Sequence, residues 1–209
     1  MNDFSAGAFR SLAQKALARE HEQFGAPHQQ TPIKDLAWHE GEVLHLKDAA
    51  VLIPIVDRGN EATVILTQRT QHLPSHAGQV AFPGGKVDDH DISAQGAALR
   101  EADEEIGLKA DFVEIFGQMR PYISSTGYRI FPVLSTVRQG FEVAANPGEV
   151  AEIFEVPLRF LMDPGNHQRK SAQWRGKQRS YFAMPYGEHY IWGVTAGILH
   201  NLYETVYGT

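Results

Sequence analysis

Residues 91–108, DISAQGAALREADEEIGL, limit what this chain can fold into more than any other stretch. At about 100° per residue, Leu99, Ala102 and Ile106 share one helical face, which packs inward. Glu101, Glu104 and Glu105 fall together on another face. Ala97 and Ala98 lie one turn earlier on that same side and leave room above the carboxylates. Asp91 or Ser93 caps the start, and Gly107 stops the end. The acidic side is locally unfavourable. Glu101–Glu104 and Glu101–Glu105 are like-charge neighbours that each oppose the helix by roughly 0.2–0.5 kcal/mol. Glu104 and Glu105 also sit in the last turn, where the helix dipole disfavours anions by about 0.3–1 kcal/mol. Only Arg100 and Lys109 supply nearby cations. A solvated acidic face is the ordinary explanation of such a run. The alternative is that carboxylates at i, i+3 and i+4 converge on an ion such as Mg²⁺ through oxygen ligands. Local rule-breaking of this kind is where function is expected.

The surroundings decide between the two. The preceding stretch is ILTQRTQHLPSHAGQVAFPGGKVDD, residues 65–89. Gly84 and Gly85 let backbone carbonyls approach a metal with no Cβ in the way. Arg69, at the end of a predicted strand, can meet a phosphate bidentately. His72 and His76 are four apart, but with no predicted helix and no third ligand they do not make a zinc site. FPGGKV lacks the spacing of a phosphate-binding P-loop, and neither GxSxG nor GxGxxG occurs.

Elsewhere the pattern is mixed. A helix over residues 5–20 (Phe9, Leu12, Ala16, Leu17) leads through a His-, Gln- and Pro-rich connector, 22–40, into two apolar runs between Ala49 and Thr67 that read as a hairpin. Strands are expected at 112–118, 129–136 and 150–157, and a short helix over 157–162. A hairpin over 172–181 has Gly176-Lys177 at its tip, and VTAGILHNLYETV forms a closing helix. Hairpins mixed with separated helices give an α/β arrangement with a mixed sheet. The net charge of −6 argues against a broad nucleic-acid surface. The absence of cysteine excludes a Cys nucleophile, a thiolate zinc site and an iron–sulfur cluster. No run approaches the roughly 18 apolar residues of a membrane span. The chain therefore reads as a cytoplasmic protein with neither a nucleic-acid nor a membrane partner.

Gly85, Asp91, Arg100, Glu101, Glu104, Glu105, Gly107 and Leu108 together resemble the Nudix box, Gx5Ex7REUxEExGU. READEEIGL matches its second half without a gap. In the first half Asp91 stands where Glu is usual, and eight residues rather than seven separate it from Arg100. That expansion, with LTQRTQHLPSHAGQVAFPGGKVD upstream and YIWGVTAGI downstream, resembles the coenzyme A pyrophosphatase branch of the Nudix hydrolases. The upstream signature of that branch is close to LLTxRSxxLxxHxGQVxFPGGxxD. One departure is Pro74-Ser75, where many members of the branch carry basic residues.

The resemblance implies a Nudix-type α/β/α sandwich with a mixed β-sheet over residues 31–209, preceded by an N-terminal helical extension over 1–30. It implies Mg²⁺ or Mn²⁺ held by Glu101 and Glu105, with Glu104 as a further ligand or water-orienting base and the Gly85 carbonyl as a weaker ligand. Arg100 would hold a glutamate in place, and Glu149 would be the general base with Glu152 as its rival. Arg69, His76, Gln79 and Phe82 would contact the substrate, and Trp192 is a further candidate for an adenine or pantetheine arm. The implied reaction is hydrolysis of coenzyme A or an acyl derivative to 3′,5′-ADP and a 4′-phosphopantetheine product. ADP-ribose, a dinucleotide or another nucleoside diphosphate derivative is the alternative substrate, and a non-catalytic nucleotide-binding module is a third reading. The partner is a small-molecule nucleotide, and a homodimer stays open.

Overall fold

Two apolar runs too hydrophobic for a surface become neighbouring strands at the centre of the molecule. In the computed structural model, which describes residues 3–25, 46–174 and 177–208, these are β1 (Lys47–Asp57) and β7 (Tyr128–Val137), paired in parallel from Lys47–Tyr128 to Val56–Val137. Parallel strands covered on both faces read as near-continuous apolar sequence, and side chains alternate between the faces. Ala50, Leu52 and Val56 of β1, with Phe131, Val133 and Val137 of β7, enter a core on one side of the sheet. Ile53 and Ile55, with Ile130 and Leu134, enter a second core on the other.

The remaining strands extend this centre. The β1–β2 hairpin (β2, Ala62–Arg69) is antiparallel, as its sequence predicts. The main sheet runs β3-β2-β1-β7-β5, where β3 is Val80–Ala81 and β5 is Val113–Gln118. Short β4 (Gly84–Lys86) pairs with β1, β6 (Tyr122–Ile123) with β7, and β8 (Val150–Pro157) with β2. A second sheet, β11-β10-β9, comprises β9 (Gln168–Trp174), β10 (Lys177–Tyr186) and β11 (His189–Trp192). Its hairpin is longer than the expected 172–181, and the tip at Gly176 lies outside the described residues.

Helix α2 (Ala94–Ile106) covers the first core. Helices α1 (Ala6–Phe24) and α4 (Val194–Tyr207) close the second, with a one-turn α3 (Leu158–Leu161) beside them. The result is the expected α/β/α sandwich with a mixed sheet. Ser5 caps α1, and Phe9, Ala13 and Leu17 are buried against the same core as Leu199 and Leu202 of α4. The expected boundary at residue 30 and most of the expected connector lie outside the described residues. Among the described residues no helix is long and apolar enough to cross a membrane.

Candidate active site

The three glutamates of α2 begin as neighbours on a helical wheel and end in three different environments. Ser93, not Asp91, caps the helix by accepting the Gly96 N–H at 3.1 Å. Gly107 ends it at φ 68°, a left-handed conformation that suits glycine. The arc pressed on the sheet keeps the expected Ala102 and Ile106 but not Leu99. Ala97 and Ala98 are fully buried with Ala102 and Ile106, whereas Leu99 is only half-buried. Small alanines let the helix approach β1 closely, so the alanine side becomes the buried stripe and leaves no open space there. Glu105 is carried inward with it (3% exposed), Glu101 is half-buried, and Glu104 faces solvent.

Glu105 is the buried carboxylate. It accepts the Gly84 N–H at 3.1 Å, and Arg69 Nη1 stands 3.6 Å from its Oε1. Burial pushes its pKa up to about 7, opposed by the Gly84 hydrogen bond and Arg69 and reinforced by the charges of Glu101 and Glu149. Burial also raises Glu101, partly offset by Arg100. Gly85 lies against Glu101, and a Cβ at that position would collide with the Glu101 carboxylate. The expected FPGG loop thus contains a strand, since Gly85 pairs with Ala50 in β4–β1.

Arg100 is a junction. Its Nε and Nη2 grip both Asp91 oxygens at 3.1 and 2.9 Å, and Nη1 reaches Glu101 at 3.1 Å and Glu104 at 3.0 Å. Nη2 also donates to the Lys86 carbonyl at 3.2 Å. The bidentate contact holds Asp91 down at about 2. This is the role that sequence reasoning missed for Asp91. The signal was its departure from the Nudix box: a shorter acid, one residue farther away, in a loop that absorbs the extra residue.

The structure brings Arg69, Gly85, Glu101 and Glu105 together, with Arg100 and Glu104 at the rim. Glu149 lies in the turn before β8, its carbonyl accepts the Thr70 N–H at 2.9 Å, and its charge bears on both Glu101 and Glu105. Glu152, its rival, is instead paired with His189 at 3.1 Å. His76, at φ 57°, meets Gln79 at 2.9 Å, and the Gln79 carbonyl accepts the Arg69 N–H at 3.0 Å. Phe82 is corrected: it is 3% exposed and packed in the core beneath α1 and α4, because its ring gains more from burial than from water, and it offers no surface to a substrate. Trp192 is exposed at the end of β11.

The donor set bears on which ion the residues suit. Two crowded carboxylates lie against the Gly84-Gly85 backbone, Glu105 at the Gly84 N–H and Glu101 beside Gly85. Arg69 reaches one of them only at 3.6 Å, and its buried Nε has no hydrogen-bond partner among the described residues. Oxygen donors without sulfur or imidazole fit a hard divalent cation. Asp88, His90 and Asp91 also lie within 4.8 Å of one another, but Asp91 is already engaged by Arg100.

Comparison with known proteins gives three findings. The family described as NUDIX domain matches residues 46–175. A Nudix hydrolase named NudL from Escherichia coli (strain K12) is 43% identical over 161 residues, 77% of this chain and 83% of that protein. NudL of Photorhabdus laumondii is 42% identical over 160 residues, covering 77% and 85%. Among solved structures, DR0079 from Deinococcus radiodurans superposes with a TM-score of 0.51 at 13% identity, over 79% of this chain and 90% of that one. RenU of M. smegmatis, a Nudix hydrolase, gives 0.47 at 24% identity over 54% and 71%.

Proposed function

The chain belongs to the Nudix hydrolases, pyrophosphohydrolases that act on phosphorus anhydrides of nucleoside diphosphate derivatives, and we propose that its substrate is coenzyme A or an acyl derivative, cut to 3′,5′-ADP and a 4′-phosphopantetheine product. Nudix hydrolases generally use a divalent ion. Here Glu101 and Glu105 would hold Mg²⁺ or Mn²⁺, with Glu104 and the Gly85 carbonyl as further donors. Bound there, the ion supplies positive charge opposite the diphosphate oxygens.

The rest falls to the chain's own groups. Arg69 binds phosphate oxygens through its fork of N–H donors. Arg100, fixed by Asp91, orients Glu101 and Glu104. His76 and Gln79, already hydrogen-bonded to each other, steady the substrate beside Arg69. Glu149 takes a proton from water as the water oxygen bonds to phosphorus and the anhydride P–O bond breaks, leaving two phosphate monoesters.

One observation carries this reading: Glu101 and Glu105 are both raised by burial, and the cations that reach them among the described residues are Arg100, which Glu101 shares with Asp91 and Glu104, and Arg69, which stands 3.6 Å from Glu105. Support for coenzyme A comes from the upstream LTQRTQHLPSHAGQVAFPGG. Pro74-Ser75 favours the second reading, in which ADP-ribose or a dinucleotide is cleaved instead, because that loop offers no cation to a ribose phosphate. The test is hydrolysis of coenzyme A, ADP-ribose and a dinucleoside diphosphate with Mg²⁺ or Mn²⁺ and an EDTA control, with products separated by chromatography. Metal-dependent release of 3′,5′-ADP, fastest from coenzyme A, is the expected result.

A further inference from the structure

Between Asp163 and Glu188 the chain has no acidic residue and five basic ones: Arg169, Lys170, Arg175, Lys177 and Arg179. In a molecule of net charge −6 this is a local reversal of sign. Within it β9 and β10 pair antiparallel, and their register assigns the described groups Lys170 and Arg179 to a side. Residues opposed across an antiparallel pair point to the same face. Lys170 opposes Tyr181, Ala183 opposes Trp192, and Pro185 opposes Tyr190; Arg179 is two residues from Tyr181. Lys170, Arg179, Tyr181, Tyr190 and Trp192 therefore share one face. The other face sends Phe182, Met184 and Ile191 toward the core. On the outer face Tyr190 is 43% and Trp192 37% exposed, and Tyr181 meets Trp192 edge-to-face at 5.6 Å. Aromatic surface left in water beside two cations is unfavourable unless something covers it.

Strand β11 lies across the starts of β3 and β8. Three residues past Trp192, Thr195 Oγ1 donates to the Val80 carbonyl at 2.9 Å. At the other end of the strand, His189 pairs with Glu152 at 3.1 Å and stacks on Phe154 at 3.6 Å. Gln79 immediately precedes β3 and Glu149 immediately precedes β8. The basic aromatic face thus borders the two loops that carry those candidate residues.

We propose that this face binds the phosphorylated purine-nucleoside arm of the diphosphate substrate: the base stacks on Trp192, and Lys170 and Arg179 pair with a phosphate on the ribose. The proposal rests on the reading that the chain cleaves nucleoside diphosphate derivatives, and it deepens that reading. A π-face suits a base, and flanking cations suit a phosphate. Only a ligand with both parts uses the whole set. It also supplies the positive charge that Pro74-Ser75 lacks.

The test titrates adenosine 3′,5′-bisphosphate and 5′-AMP into the full-length chain by calorimetry. Wild type is compared with Trp192→Ala and with the double variant Lys170→Gln/Arg179→Gln, each checked for folding by circular dichroism. Tyr190→Ser serves as a second aromatic variant. Wild type should bind the bisphosphate about tenfold tighter than 5′-AMP. The double variant should lose that preference while keeping its affinity for 5′-AMP, and Trp192→Ala should weaken both ligands by about tenfold. In turnover, the double variant should raise KM for coenzyme A but not for dephospho-coenzyme A, with kcat within about twofold. Aromatic variants that bind like wild type, or a double variant that weakens both nucleotides equally, would overturn the proposal. So would tighter binding of a single-stranded oligonucleotide than of the bisphosphate. Wild type that binds the bisphosphate but hydrolyses no diphosphate defeats the catalytic reading alone. Full hydrolysis with unaltered variants defeats the face alone.

Discussion

Glu105 and Arg69 form an ion pair that is incomplete on both sides. The carboxylate is buried and raised to about 7, and the guanidinium is close but not bonded. The consequence for stability has a definite sign. A folded-state pKa above the ordinary 4.5 means that the native protein holds this proton more tightly than the unfolded chain does. The stabilisation is complete below about pH 4.5, fades as pH rises to about 7, and is absent above that, a swing of about 3 kcal/mol. Glu105→Gln should therefore raise the Tm of metal-free protein at pH 8 and flatten its pH dependence, measured by scanning calorimetry in EDTA. The same variant should cut turnover by about 10²-fold or more. Arg69→Gln removes a competing cation, so Mn²⁺ should bind the nucleotide-free variant tighter than wild type in a calorimetric titration, while KM for the diphosphate rises. Weaker Mn²⁺ binding would show that Arg69 supports the carboxylates rather than competing for one of them. Asp91 runs the opposite way: held at about 2, it stabilises above its ordinary 3.8, and that contribution disappears in strong acid.

At the scale of elements, the sequence displayed periodicity well and depth poorly. The β1–β2 hairpin, β5, β7, β8, α2 and α4 stand where alternation and helical spacing put them, because those signals are local. Which arc of α2 faces inward was legible in part: Ala102 and Ile106 are buried as their spacing predicts. The same spacing also pointed to Leu99, but Ala97 and Ala98 are buried instead and Leu99 is only half-buried. That choice also separated the three glutamates by depth, which a helical wheel cannot do. Phe82 failed similarly: the family resemblance suggested a substrate contact, and only the packing of β3 and β4 between the helices shows the ring turned inward. The Arg100–Asp91 contact spans a loop one residue longer than the Nudix-box spacing, so only the departure from that spacing marks it. At Gly85 the prediction is sharp. Gly85→Ala places a methyl against the Glu101 carboxylate. It should impair metal binding and turnover while far-UV circular dichroism stays unchanged, since the backbone there needs no left-handed conformation.

Across the whole molecule, two cores sit back to back on one sheet, and the second depends on both ends of the chain. Phe9 is fully buried and contacts the C-terminal helix through Tyr207, ring to ring at 6.4 Å. Phe9→Ala should cost about 3–5 kcal/mol, read as a lower denaturation midpoint in urea with little change in kcat of the folded fraction. An effect confined to kcat would contradict that view of α1. The stretch shared with the wider family, 46–175, contains neither α1 nor α4. What is held in common is thus smaller than what holds itself together. A fragment trimmed to the shared stretch would keep every candidate metal ligand yet bare the underside of Ile53, Ile55 and Leu134, and such a minimal module would be expected to aggregate before it could be assayed.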